Sequence, residues 1–272
     1  MVTPVGWEPL VETPVPPPRH RIGASKGPKT DGVPTVSPPI PLNMVPTSVD
    51  DMYNGCRPKM YWRVNNKYLE EDKSLTDIFK QSWTTAEKCA RSKTITDNLT
   101  LQPIQALCAY SARHPAIYNV FNEACRTGNS VYTSSFKFRS LHFLLTEAIL
   151  LLKENPDQNR CYTTYRRTNM EFTGKVNTEM RFGFFASSSF RKDLTHFGEK
   201  SCFEIKTCFG ASINPYSVCQ DEKVVLIPPY EVFKITEVIK KEDAKDLWCD
   251  VVYKLWSIKT QSDLNCKLVI SK

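Results

Sequence analysis

Residues 219–239 read CQDEKVVLIPPYEVFKITEVI. Two runs rich in β-branched and aromatic residues, Lys223–Ile227 and Tyr230–Ile239, meet at Pro228-Pro229. Such runs, bounded by turn residues, read as strands. Proline cannot donate to a strand ladder, so the pair marks where the first strand stops. The same signature recurs at residues 161–168 (CYTTYRRT), 182–189 (FGFFASSS), 201–208 (SCFEIKTC) and 249–258 (CDVVYKLWSI). All of them lie in the second half of the chain.

The half before residue 160 has a different period. In SLTDIFKQSWTTAEKCA (residues 74–90), Leu75, Ile78, Phe79, Trp83, Ala86 and Ala90 fall at helical spacing, with Ser74 as N-cap. Further helices are expected near 101–112, 115–126 and 138–153. Gly128 stands just past the second of these, where helices often end on a left-handed glycine. Asn155-Pro156 closes the third. Helices first and strands after predict an α+β fold, its N-terminal helical part packed on a mainly antiparallel β core. Neither G-x-G-x-x-G nor a P-loop occurs, so any nucleotide is held by other means.

The 272 residues, 41% of them hydrophobic, suffice for a sizeable core. No run of 18 apolar residues occurs, so no transmembrane segment is expected. The longest apolar stretch, Leu141–Leu152, is broken by His142, Thr146 and Glu147 and reads as a buried helix. The net charge is +7, but Lys and Arg are scattered in short pairs, which argues against nucleic acid as a partner. Ten cysteines with no C-x-x-C pair argue against structural zinc. They favour disulfides and an oxidising compartment, the alternative being buried free thiols. Asn98-Leu99-Thr100 is a glycosylation sequon compatible with secretion. Residues 1–46 hold 12 of the 19 prolines. They are expected to form a disordered or polyproline-like segment before a domain at 47–272. No export signal or lipid-anchor tail is visible in the sequence. For a secreted chain, the export signal is expected to lie outside it, or the start to belong to an alternative or misassigned first exon.

Three stretches carry groups capable of chemistry. Tyr165-Arg166-Arg167-Thr168 offers cations, and an arginine can fork onto a phosphate. Arg181–Phe190 (RFGFFASSSF) offers hydroxyls flanked by aromatics. Asp221-Glu222 offers carboxylates. Singly each is bland: paired strand arginines are ordinarily a solvated face, Ser-Ser-Ser a turn, and an acid at a strand edge a solubility device.

Together, TTYRRT, RFGFFASSSF, THFGEKSCFEIKTCFGASI and VLIPPYEVFKI, in that order, resemble the vertebrate ecto-ADP-ribosyltransferases, with a close resemblance to the fish members. The resemblance runs from about Pro46 to Lys267. It implies an arginine-specific mono-ADP-ribosyltransferase of that fold type, secreted or luminal, and expected to be a monomer. NAD, with NADP as an alternative, would be the substrate, and arginine-bearing proteins the acceptors, without a metal. Carried over, Arg166 anchors NAD, and Ser187 supports the nicotinamide side. Phe190–Glu199 wraps the cofactor, with Phe184 or Phe190 available to stack on it. Gly183 marks a close approach of cofactor to backbone. The family pattern places an E-x-E pair before V-L-I-P-P. Here Glu222 takes the acceptor-side position, and Val224 stands where the catalytic glutamate is expected. Strand alternation would put the two on one face about 6.6 Å apart. Gln220-Asp221-Glu222 offers a second register, Q-x-E, with Glu222 as the catalytic acid. The resemblance also implies Cys56–Cys266 and Cys161–Cys208 disulfides. The rival readings are a catalytically impaired NAD- or partner-binding paralogue and an NAD glycohydrolase.

Overall fold

The computed structural model describes residues 38–95, 99–155 and 160–270. The first 37 residues of the proline-rich segment and Asn98 of the sequon lie outside the described residues. In chain order the elements are β1 (Ile40–Pro41), α1 (Arg57–Arg63), α2 (Leu69–Leu75), α3 (Asp77–Ser92), α4 (Leu101–Ser111), α5 (Ile117–Thr127) and α6 (Arg139–Glu154). Then come β2 (Tyr162–Thr168), β3 (Phe172–Thr173), β4 (Glu179–Met180), β5 (Ala186–Ser189), β6 (Ser201–Thr207) and β7 (Ala211–Ser212). The chain continues with β8 (Val224–Ile227), β9 (Glu231–Lys240), β10 (Val251–Thr260) and α7 (Lys267–Ile270). A five-residue π-helix, Val64–Tyr68, bridges α1 and α2. The α+β order read from the sequence holds.

Eight strands form one sheet in the order β4-β9-β10-β6-β2-β5-β8-β7. Every pairing in it is antiparallel except β10 with β6. One apolar core lies among the helices and reaches Phe185, Val224 and Leu226. A second lies on the sheet, around Phe182, Phe203, Phe233, Ile235 and Tyr253. As expected for its apolar run, α6 is buried over most of its length.

Three local expectations are corrected. Ser74 does not cap α3: its hydroxyl donates back to the Glu71 carbonyl at 2.7 Å as the end of α2. The extended Thr76 (φ −153°) makes the break, and Leu75 is left 48% exposed. Gly128 is not left-handed, since its φ is −88°. Glycine is needed there because a Cβ would lie 2.4 Å from the Ala124 carbonyl oxygen. Nor does packing wait for residue 47. Ile40–Pro41 pairs in parallel with Phe172–Thr173, and residues 40–47 run on as a half-exposed strap.

What fastens that strap is Arg181. Its guanidinium pairs with Asp50 at 2.6 Å, both groups almost wholly buried. It also donates to the carbonyls of Met44, Val45 and Gln261. Asp50 in turn accepts the backbone N–H groups of Asp263 and Leu264, both at 3.0 Å. The neighbouring Asp51 accepts the N–H groups of Tyr53 and Cys266 and the Tyr132 hydroxyl, each at 2.8 Å. Tyr53 carries the network to Nδ1 of His142, whose Nε2 faces the Val49 carbonyl at 3.0 Å. Burial lowers the His142 pKa to about 4. The ring is therefore neutral, donating from Nε2 and accepting at Nδ1.

Four disulfides tie the described chain: Cys56–Cys266, Cys89–Cys108, Cys161–Cys208 and Cys202–Cys249. Cys125 and Cys219 are free thiols.

Two outcomes follow from the buried carboxylates. Asp50→Ala strands a buried guanidinium and should cost about 3–5 kcal/mol, read from denaturant unfolding. Asp72 is completely buried, and its carboxylate accepts the Ser140 N–H at the start of α6. Burial raises its pKa from 3.8 to about 7. The folded state therefore binds more protons than the unfolded state between those values, and this group's contribution falls as pH rises across them. Melting curves should show a shallower loss between about pH 4 and pH 7 for Asp72→Asn than for wild type.

Candidate active site

Arg166 and Arg167, adjacent on β2, point to opposite sides of the sheet, as strand alternation requires. Neither is a solvated face, because each is only 6% exposed. Arg166 donates to the Ser187 carbonyl at 2.8 Å and lies over the rings of Phe182 and Phe184. Burial lowers its pKa to about 10, so it stays cationic at neutral pH. Arg167 serves another purpose. It donates to the carbonyls of Lys192, Gly198 and Trp248 at 2.7, 3.3 and 3.2 Å, and its guanidinium stacks on the Trp248 ring. It thereby staples the Phe190–Glu199 loop to the β9–β10 connection.

Arg166 opens onto a cavity of about 530 Å³. Strand β2 supplies Arg166 and Thr168, and the β4–β5 connection supplies Phe182 and Phe184; α5 supplies Tyr118 and Asn122; the strap from Ile40 to Thr47 closes one wall. The Nδ2 of Asn122 donates to the Tyr110 hydroxyl at 3.0 Å, while its buried Oδ1 has no partner. An orphan buried acceptor is costly unless something completes it. The oxygen is enclosed by protein beside the cavity wall, not open to the cavity itself. Sequence reading missed Asn122 and Tyr110. The available signal was Tyr118 and Asn122 at i and i+4, on one face of a helix.

Ser187 sits opposite Leu226 in the β5–β8 ladder, and its hydroxyl lies near enough to Tyr110 to favour the ionised phenol. Burial pushes the Tyr110 pKa up to about 12, against the pull of Asn122, Ser187 and the Arg166 charge. Ser187 is thus joined to Arg166 and lies near Tyr110, although it does not line the cavity. Gly183 (φ +71°) does approach something closely, but a Cβ there would meet the Val45 side chain at 2.7 Å. The neighbour that requires the glycine is the strap. Phe184 lines the cavity beneath Arg166. Phe190 does not; it is 40% exposed and packs edge-on against Tyr162.

The acidic motif is not a strand start. Gln220–Glu222 is a turn of 3₁₀ helix, Lys223 is left-handed (φ 48°, ψ 54°), and β8 begins at Val224. Glu222 and Val224 therefore do not alternate along one strand, contrary to the spacing argument. The ladder pairs Val224 with Ser189 and Val225 with Ser188. With Gln220–Glu222 coiled in a turn, the Q-x-E register is not formed. Ser189 Oγ holds this turn by donating to the Glu222 carbonyl at 2.5 Å. The Glu222 side chain is 9% exposed, and its Oε1 lies 3.4 Å from Arg113 Nη2. Burial raises its pKa, and the Arg113 charge opposes that rise. Val224 is 5% exposed and belongs to the helical-side core.

The fold, with a buried arginine at the centre of a mainly antiparallel sheet, defines an ADP-ribosyltransferase domain. The chain belongs to the NAD:arginine ADP-ribosyltransferase family, whose sequence profile matches residues 42–263. It is 37% identical to NAD(P)(+)--arginine ADP-ribosyltransferase 2 of Gallus gallus over 72% of this chain and 64% of that one. It is 33% identical to ecto-ADP-ribosyltransferase 5 of Homo sapiens over 84% of this chain and 81% of that one. The chain thus spans slightly under two thirds of the chicken relative. Among solved structures, the eukaryotic mono-ADP-ribosyltransferase ART2.2 superposes with a TM-score of 0.71 at 29% identity, over 86% of this chain and all of that one. A glutamate-to-isoleucine mutant of the same enzyme, in complex with NAD, superposes with a TM-score of 0.68.

The Arg167 staple makes a separable prediction. Arg167→Met keeps the apolar stem and removes every donor. Amide exchange should accelerate roughly tenfold or more across residues 190–199, about the worth of one to two buried hydrogen bonds. The Asp50–Arg181 region should keep its protection.

Proposed function

We propose that the chain binds NAD in the cavity beside Arg166 and is an arginine ADP-ribosyltransferase with a weakened transfer step. The observation that carries this reading is the pairing of an intact cofactor side with an aliphatic residue at the catalytic position. On the first side stands a buried cationic Arg166 that opens onto a cavity walled by Phe182, Phe184, Tyr118 and Asn122. On the second, Val224 is packed in the core two residues beyond Glu222. In this reading Arg166 holds the NAD phosphates and ribose, Ser187 steadies the nicotinamide end, and Phe184 offers a ring to it. Phe190, outside the cavity lining, reaches the cofactor only if its loop folds inward. Glu222 faces the acceptor guanidinium.

The chemistry explains what the valine removes. As the bond between nicotinamide and ribose breaks, the ribose becomes cationic, and a carboxylate beneath it stabilises that charge. Losing such a group costs about 3–4 kcal/mol, or roughly a hundredfold to a thousandfold in rate. NAD recognition does not depend on it. The rival reading of a binding paralogue differs only in how complete the loss is. An NAD glycohydrolase would still need the missing carboxylate, so the valine disfavours it. The domain is read as beginning near residue 40, and as a monomer. The cystine framework and the ecto-type relatives support an extracellular or luminal site. Use of NADP and affinity to the fish members rest on the motif resemblance.

Wild-type protein should bind NAD in calorimetry yet label arginine substrates weakly with labelled NAD. Val224→Glu, checked for folding by its melting curve and for NAD affinity, should raise labelling by about a hundredfold. Strong wild-type labelling that Glu222→Gln abolishes would make Glu222 the catalytic acid and overturn this assignment. Absence of NAD binding would overturn the cofactor side.

A further inference from the structure

Arg113 lies in the connection between α4 and α5, far in sequence from the acidic motif, yet it is the cation that meets Glu222. Its Nη2 stands 3.4 Å from Glu222 Oε1. The Arg113 side chain is 46% exposed, whereas that of Glu222 is only 9% exposed. The guanidinium therefore covers a carboxylate that is otherwise enclosed by protein. Cys219 lies beside it and also interacts with Arg113. The Cys219 sulfhydryl faces the Ser111 carbonyl at 3.8 Å. The ligand that Glu222 meets is thus a guanidinium, the same group that an acceptor arginine would bring.

We propose that Arg113 is an in-chain occupant of the acceptor site, a guanidinium that an incoming arginine must displace from Glu222. This rests on the reading of Glu222 as the acceptor-side acid. The contact suits displacement: it is a single long bond from a half-exposed side chain, not a bidentate fork, and such pairs are weak. Arg113 is on this view a specificity-determining residue. It holds the acceptor carboxylate in an ion pair, excludes weakly bound guanidines, and admits those whose surrounding peptide adds further contacts.

Arginine methyl ester is the probe, with binding measured by saturation-transfer NMR on NAD-loaded full chain. Arg113→Ala should tighten its binding about two- to fivefold, the range that a competing exposed ion pair confers. Arg113→Lys, which keeps the charge and loses the planar fork, should fall between the two. Glu222→Gln should abolish binding in both backgrounds. In Val224→Glu protein, Arg113→Ala should lower KM for the ester with kcat little changed. Melting curves establish that each variant is folded. Unchanged or weaker binding in folded Arg113→Ala, with Glu222→Gln still lowering it, overturns the role of Arg113 alone. Indifference to Glu222→Gln removes the acceptor reading of Glu222, and the proposal with it.

Discussion

The buried pair of Asp50 and Arg181 is the constraint on which the rest depends. One guanidinium gathers the strap before α1, the approach to β5 and the segment after β10. One carboxylate closes the same knot from the other side. A buried ion pair adds stability only when its remaining hydrogen-bonding capacity is filled. Here backbone carbonyls and N–H groups fill it, so the pair specifies where three distant segments meet. The cavity exists because they meet there. The strap closes it, and Val45 presses on Gly183, between the two phenylalanines that underlie Arg166.

The acidic motif shows a different economy. The turn at Gln220–Glu222 and the left-handed Lys223 aim Glu222 separately from β8, so its position is not tied to the strand's alternation. Ser189 fixes that turn through the Glu222 carbonyl, and Arg191 holds the Asp221 carbonyl from the neighbouring loop. A valine at 224 then costs the fold nothing. It pairs in the ladder opposite Ser189 and buries its methyl groups in a core that accepts them. The residue at 224 can therefore vary without disturbing the turn or the ladder, because strand register and side-chain chemistry are set by different interactions.

Much of this was legible in the sequence, and the exceptions have physical causes. Period and composition placed α4, α6 and the long strands, because those signals come from burial on one face or both. The boundary at Ser74 failed because a serine inside a helix and one capping it look alike until its hydroxyl chooses a partner. The weight given to Asp221 and Glu222 was drawn by their place beside a strand. The acid pair that organises the fold is Asp50-Asp51, which lies in an irregular stretch where no period marks it. The paired arginines were legible as cations but not as buried, because their partners are backbone carbonyls from segments far along the chain. Asn122 was invisible for a related reason: its Oδ1 is left unfilled, and a sequence does not show which polar atoms go unpaired.

The Cys56–Cys266 bond joins residues 210 positions apart and changes the topology of the molecule. From Cys56 to Cys266 the domain is a covalent ring, and the chain enters and leaves it at one spot. A single cut in any loop between them opens the ring without dividing it, so both pieces stay in one particle. A ring also starts with fewer unfolded conformations than an open chain of equal length. For a domain exposed to proteases, the ring turns a severed loop from a loss of half the molecule into a local defect.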